Sequence, residues 1–360
     1  MSTYPSLLFI TRKYPGLHGG MEEFSQRLYE AYPGRKDLVA LKGRQGWLPL
    51  YLPYALLRSA LARGRFDHVH LGDAMMAILA PLFGHLTRAT VTATLHGQDA
   101  LRTLGWYRAL LRRALDKMDG RLIAVSDFTA AETSTTLGIP TPYVIHNGLQ
   151  WHRFGRIERA PGQPALRVAL GFPASGPLIV TVGRLVRRKG VTWFASNVLP
   201  LLPPDVTYVV VGDGPDRAAV REAWRRDPRI HLCGDVDDRF VEQLYTCCDL
   251  VVAANIRVAG SPEGYGIAPA EAAAAGVPTL VSDIEGLRDM ARVTGVRSIP
   301  SGDAHEWASA VGRALTDPSW ALATRPPRSW EHVAEDYALR FATLAGKRLA
   351  RSRDRSAAST

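Results

Sequence analysis

Short apolar runs and longer amphipathic stretches alternate along almost the whole chain. Runs rich in β-branched residues predict strands at Leu7–Thr11, Asp37–Leu41, His68–Leu71, Thr90–Leu95, Arg121–Val125 and Pro142–Ile145. Helical patterns fall between them at Met21–Tyr32, Pro53–Arg63, Ala74–His85, Leu104–Lys117 and Asp127–Leu137. The rhythm breaks over 151–176, where Pro161, Gly162, Pro164, Gly171, Pro173 and Gly176 crowd together, which predicts an interdomain linker. It then restarts, with strands at Leu178–Val182, Thr207–Val211, Arg229–Leu232, Leu250–Ala253, Pro278–Val281 and Val296–Ile299. Helices are expected at Val191–Leu201, Pro215–Arg226, Asp238–Cys247, Ile267–Ala275 and Ala304–Leu315. Strand–helix alternation of this kind builds parallel sheets covered on both faces. The fold class is therefore α/β, with two doubly wound, Rossmann-like domains at 1–150 and 177–329. A last helix, about Trp330–Leu349, is free to pack back on the first domain, and 350–360 reads as a basic tail.

Composition fits this picture: 360 residues, 46% hydrophobic and 22% charged, suit two soluble domains. No 18-residue apolar run and no signal-peptide pattern occurs, so a cytoplasmic location is expected. The three cysteines lack metal or disulfide spacing, and no metal site is expected. The net charge of +10 is uneven. Residues 1–150 carry +6, residues 151–339 carry −1, and residues 340–360 carry +5. No nucleic-acid motif accompanies the excess, so nucleic acid is not expected as a partner. From Leu38 to Phe66 there is no acidic residue, while Lys42, Arg44, Arg58, Arg63 and Arg65 lie among Trp47, Leu48, Leu50, Tyr51, Leu52 and Tyr54. A second basic, aromatic stretch holds Trp106, Tyr107, Arg108, Arg112 and Arg113. These are either exposed faces of ordinary helices or a surface for anionic lipid.

The candidate chemistry clusters at predicted strand ends, where ligands bind in open α/β sheets. Glu263 and Glu271 stand eight residues apart across Gly264-Tyr265-Gly266, and a helix starts near Ile267. Two hydrogen-bond acceptors thus flank a helix N-terminus that attracts anions. A ligand with hydroxyls at both ends and phosphate between them fits, and a nucleotide sugar is one. Arg184 and Lys189, after the strand Leu178–Val182, offer a phosphate fork and a point charge, whereas Arg187 and Arg188 are expected to point to solvent. Gly19-Gly20 permits close backbone approach, and His96-Gly97 ends another strand. Asp213-Gly214-Pro215 reads as structural, and Val236 could approach a base.

Taken together and in this order, Gly19-Gly20, His96-Gly97, Val125-Ser126, Asn147-Gly148, Gly183-Arg184…Lys189-Gly190, Gly212-Asp213-Gly214-Pro215, Glu263…Glu271 and Glu285-Gly286 resemble the retaining GT-B glycosyltransferases of the family-4 group. The resemblance implies two domains facing across a cleft and transfer of a hexose from a nucleoside-diphosphate sugar, GDP-mannose-type or UDP-hexose, without a metal or other cofactor. Arg184 and Lys189 would hold the donor diphosphate. Gly20, with Gly19, and the N–H groups of Ile267 and Ala268 would complete its site. Glu271 would bind the ribose, Val236 would sit at the base, and Glu263 and His96 would contact the transferred sugar. Asn147 would line the cleft. The acceptor would be a glycan or lipid-linked hydroxyl in envelope polysaccharide or lipopolysaccharide synthesis, reached by a peripheral contact with the inner membrane face. A GT-B phosphorylase, a nucleotide-sugar epimerase or a non-catalytic nucleotide-sugar-binding protein shares the same frame. Two departures stand out: Leu149 is followed by Gln150, and the loop before Glu263 is long and carries Arg257.

Overall fold

The computed structural model describes residues 4–14, 20–42, 45–97, 105–149, 154–155, 157–161, 163–325 and 328–357. The chain divides into two compact units, Met1–Gly148 with Ser329–Thr360, and Leu149–Arg328. Each is built on a six-stranded sheet in which every strand pairing is parallel.

In the first unit the strands are β1 (Leu7–Tyr14), β2 (Lys36–Lys42), β3 (His68–Leu71), β4 (Thr90–Leu95), β5 (Leu122–Ala124) and β6 (Tyr143–Val144), ordered β2-β1-β3-β4-β5-β6. All residues of β3 and β4 are buried, as expected of parallel strands covered on both faces. One face packs Leu8, Ile10, Val69 and Leu71 against the helices Leu48–Leu61 and Ala80–Thr87. The other packs Leu7 and Phe9 against Phe24 of the helix Gly20–Ala31 and against Trp330, Val333, Tyr337 and Phe341 of the C-terminal helix. That helix runs Trp330–Ala357, through residues expected to form a tail.

In the second unit β7 (Leu178–Val182), β8 (Thr207–Val211), β9 (Ile230–Gly234), β10 (Leu250–Ala253), β11 (Thr279–Ser282) and β12 (Arg297–Ile299) are ordered β12-β11-β10-β7-β8-β9. The chain winds outward from β7 and returns to begin again at β10, so the switch point lies between these two strands. Loops leaving β7 and β10 at their carboxyl ends therefore meet there. The segment expected as a linker belongs to this unit. Leu149, Phe154 and Phe172 enter its core, and the buried Arg167 donates to the Cys247 carbonyl and pairs with Asp249 at 2.7 Å.

Several elements differ from expectation for local reasons. The helix expected from Pro53 starts at Leu48, with Pro49 in its first turn, where the missing N–H costs nothing. Ala74–His85 is two helices, broken at Ile78-Leu79 ahead of Pro81. Val191–Leu201 passes from α to π to 3-10 geometry around Pro200. A helix at Glu285–Thr294 has no counterpart in the sequence reading.

Candidate active site

The site is densest in the second unit, at the β7–β10 switch point. Arg187–Lys189 forms one 3-10 turn after β7. Gly190 closes it at φ 66°, so tightly against the Ala254 carbonyl that any side chain would collide. The Arg188 carbonyl accepts the Ile256 N–H at 2.9 Å, tying this turn to the loop after β10.

Glu263 ends that loop, 7% exposed. Three donors converge on its Oε2: Lys189 Nζ at 2.6 Å, Asn255 Nδ2 at 3.0 Å and Arg188 Nε at 3.5 Å. Oε1 takes no hydrogen bond among the described residues. Burial pushes the Glu263 carboxyl pKa up, but Lys189 and Arg188 outweigh it and hold the group below the ordinary carboxylate value. Arg188 thus faces the buried carboxylate rather than solvent, contrary to expectation, while Arg187 is exposed. Arg188 and Lys189, consecutive in the 3-10 turn, thus both approach one oxygen.

Glu285 was noted in the sequence only as part of a motif. Its carboxylate accepts the Glu263 backbone N–H. Its pKa is raised, first by burial and then by the nearby charge of Glu263, against the N–H bond, Arg257 and Arg188. Glu285 adopts φ 45°, a left-handed conformation that costs a non-glycine residue on the order of 1–3 kcal/mol. Gly286 follows it where a side chain would strike the Gly264 carbonyl. Its N–H donates to the Glu263 carbonyl at 3.2 Å. The Glu263 peptide is therefore clamped from both sides.

Other residues expected at the donor lie in the same unit. Arg184 is exposed at the end of β7 and has no ion-pair partner among the described residues. Ile267 and Ala268 open the helix Ile267–Ala274 after Gly266, with no side chain capping it. Its first N–H groups are thus available to an anion. Glu271 lies half-buried on the same helix, and Val236, after β9, is half-buried against the core.

In the first unit His96 follows β4. It is 9% exposed, its Nε2 meets the Gly72 carbonyl at 3.0 Å, and its ring lies edge-on to Phe24. Gly20 opens the helix Gly20–Ala31 and is exposed, whereas Gly19 falls outside the described residues. Asn147 is buried, and its Oδ1 has no hydrogen-bond partner. Two ion pairs that sequence reading missed mark the carboxyl end of β1: Arg12–Asp73 at 3.1 Å and Lys13–Glu22 at 2.8 Å. Among the described residues, no three His, Cys, Asp or Glu side chains are grouped as a metal site requires.

Comparison with known proteins agrees with this arrangement. Residues 9–150 match the family Glycosyltransferase Family 4, and residues 176–317 match Glycosyl transferases group 1. The chain is 33% identical over 331 residues to the 2-deoxystreptamine glucosyltransferase of Streptomyces kanamyceticus, covering 86% of this chain and 83% of that protein. It is 29% identical over 240 residues to the phosphatidyl-myo-inositol mannosyltransferase of Mycobacterium tuberculosis strain CDC 1551 / Oshkosh. That match covers 64% of this chain and 58% of the relative. The crystal structure of Anabaena HepE in complex with UDP-glucose superposes with a TM-score of 0.68, covering 98% of this chain and all of that one at 19% identity. The two-domain GT-B fold and the match along nearly the whole chain lead to one conclusion: this protein belongs to the family-4 glycosyltransferases.

Proposed function

We propose that the protein transfers a hexose from a nucleoside-diphosphate sugar, of the GDP-mannose or UDP-hexose kind, to a hydroxyl of a glycan or lipid-linked acceptor, with retention at the anomeric carbon and without a metal. The observation that carries this reading is the buried Glu263 carboxylate. It is held ionised by Lys189 beside a free helix N-terminus and an exposed arginine. Arg184, Lys189 and the N–H groups of Ile267 and Ala268 stabilise the diphosphate as it departs from an oxocarbenium-like transition state. Glu263 Oε1 accepts a sugar hydroxyl, and Glu271 accepts the ribose hydroxyls. Glu263 is assigned to a sugar hydroxyl and not as a nucleophile. A thermal-shift panel with GDP, UDP, ADP and dTDP tests the donor assignment: one base should raise the melting temperature, and no shift with any of them overturns it. Full turnover after chelation with EDTA is expected; loss of turnover overturns metal independence.

On the acceptor side we place an anionic membrane surface, in keeping with an envelope polysaccharide or lipopolysaccharide role at the inner face of the cytoplasmic membrane. The support is a stripe on and just before the helix Leu48–Leu61. Trp47, Leu50, Tyr54, Leu57 and Leu61 are 60%, 66%, 45%, 59% and 65% exposed, in a chain segment with no acidic residue. Tyr51, grouped with them in the sequence, is instead buried and donates its hydroxyl to the Thr11 and Val39 carbonyls. No described helix is long and apolar enough to cross a membrane. Co-sedimentation with phosphatidylglycerol vesicles that weakens with salt and with Leu57→Ser is expected. Binding indifferent to anionic lipid overturns the placement.

A further inference from the structure

Glu263 has one more cation than its charge requires. Lys189 at 2.6 Å and Asn255 at 3.0 Å already bond Oε2, yet Arg188 stands 3.5 Å from the same oxygen with its Nε buried and without a hydrogen-bond partner. A buried N–H donor left unpaired beside an occupied acceptor is unfavourable as it stands. It becomes useful when the acceptor is vacated. The donor site proposed above requires this: Lys189 cannot fully serve both the carboxylate and an incoming diphosphate. Without a replacement, its departure would leave Glu263 as a buried, under-compensated charge.

We infer that Arg188 is a positioning residue that takes over the Glu263 carboxylate when Lys189 turns to the donor diphosphate. The inference rests on the donor-site reading of Lys189. Arg188 is well placed for the exchange, because its carbonyl is anchored to the Ile256 N–H and its side chain already stands within ion-pair distance of Oε2. The clamp by Glu285 and Gly286 keeps the Glu263 backbone still, so only the cations change places. Lys189, Arg188 and Asn255 face Glu263 directly; Glu285 lies behind its backbone, and Arg257 and Arg188 act on Glu285 in turn. The exchange also keeps the charges balanced. Arg184 and Lys189 meet the two negative charges of the diphosphate, and Arg188 remains for Glu263.

The test is calorimetric binding of GDP, UDP, ADP and dTDP to wild type, R188Q, R188K, E263Q and R188Q/E263Q. Each affinity is read at one pH as a ratio to wild type. For the nucleotide that binds, R188Q should lose on the order of tenfold in affinity. R188K should restore most of the affinity. In the E263Q background, removing Arg188 should cost little. The same loss with and without the Glu263 charge, or affinity unchanged by R188Q, overturns the inference. If wild type binds none of the four nucleotides, the donor-site reading itself falls.

Discussion

Both units bury polar side chains, but in opposite charge states. In the first, His70 lies between Thr92 and Thr94, its Nδ1 and Nε2 at 2.8 and 2.9 Å from their hydroxyls. His68 meets Thr92 at 2.9 Å, and Thr94 continues to the Tyr337 hydroxyl at 3.0 Å. Burial pushes the His70 pKa down to about 3 and His68 well below 6.5, so this ladder is neutral. In the second unit Lys189, Arg188 and Glu263 remain ionised, with a cation to spare. The neutral ladder joins the C-terminal helix to the sheet through Thr94 and Tyr337, with His68 Nδ1 left without a hydrogen-bond partner. The charged cluster sets two cations against one carboxylate oxygen. Hydrogen bonds between neutral groups thus serve construction here, and the uncompensated charge is where the proposed donor site places its anion.

The contrast can be broken most strongly at Phe341, which is fully buried and stacked on His68 with ring centroids 4.0 Å apart. Phe341→Ala should cost the first unit about 3–5 kcal/mol in urea unfolding. A loss below about 1 kcal/mol would show that the ladder does not depend on the helix above it. Arg184→Ala should do the reverse. Turnover falls on the order of 10²–10³-fold, while the melting temperature of this exposed, unpaired residue's variant stays put. Near-normal turnover in a folded variant would remove Arg184 from the diphosphate site.

Acid sharpens the comparison with a smaller effect. The buried histidines have lowered pKa values, so their contribution to stability is intact above 6.5 and is lost as pH falls below it, to about 3 for His70. The loss is at most about 1.4 kcal/mol per pH unit for each histidine. The lowered pKa of Glu263 contributes stability above 4.5 that is lost only as pH falls further, through its folded value. Limited proteolysis during an acid titration should therefore cut within 1–148 before 149–328; the opposite order would contradict the assigned charge states.

Strands buried on both faces were the most legible part of the chain. β3, β4, β7, β8 and β10 match the apolar runs at His68–Leu71, Thr90–Leu95, Leu178–Val182, Thr207–Val211 and Leu250–Ala253. Burial on both faces leaves a near-continuous signal that little else imitates. Glu285–Thr294 escaped notice because it opens on a left-handed Glu285 after Ile284, with no side-chain cap to announce it. The pairing of Lys189 with Glu263 joins residues brought together only by the order of β7 and β10, and the motif spacing carries neither that order nor the direction of Arg188. Helix periodicity says nothing about a single 3-10 turn.

The C-terminal helix has a consequence for synthesis on the ribosome. Trp330, Val333, Tyr337 and Phe341 cover the same face of the first sheet as Phe9 and Phe24, yet they are translated after all of Leu149–Arg328. The nascent chain therefore carries one open sheet face through the making of an entire second unit. The later-made unit has its whole sequence in hand first, and the earlier one closes only when the last helix emerges.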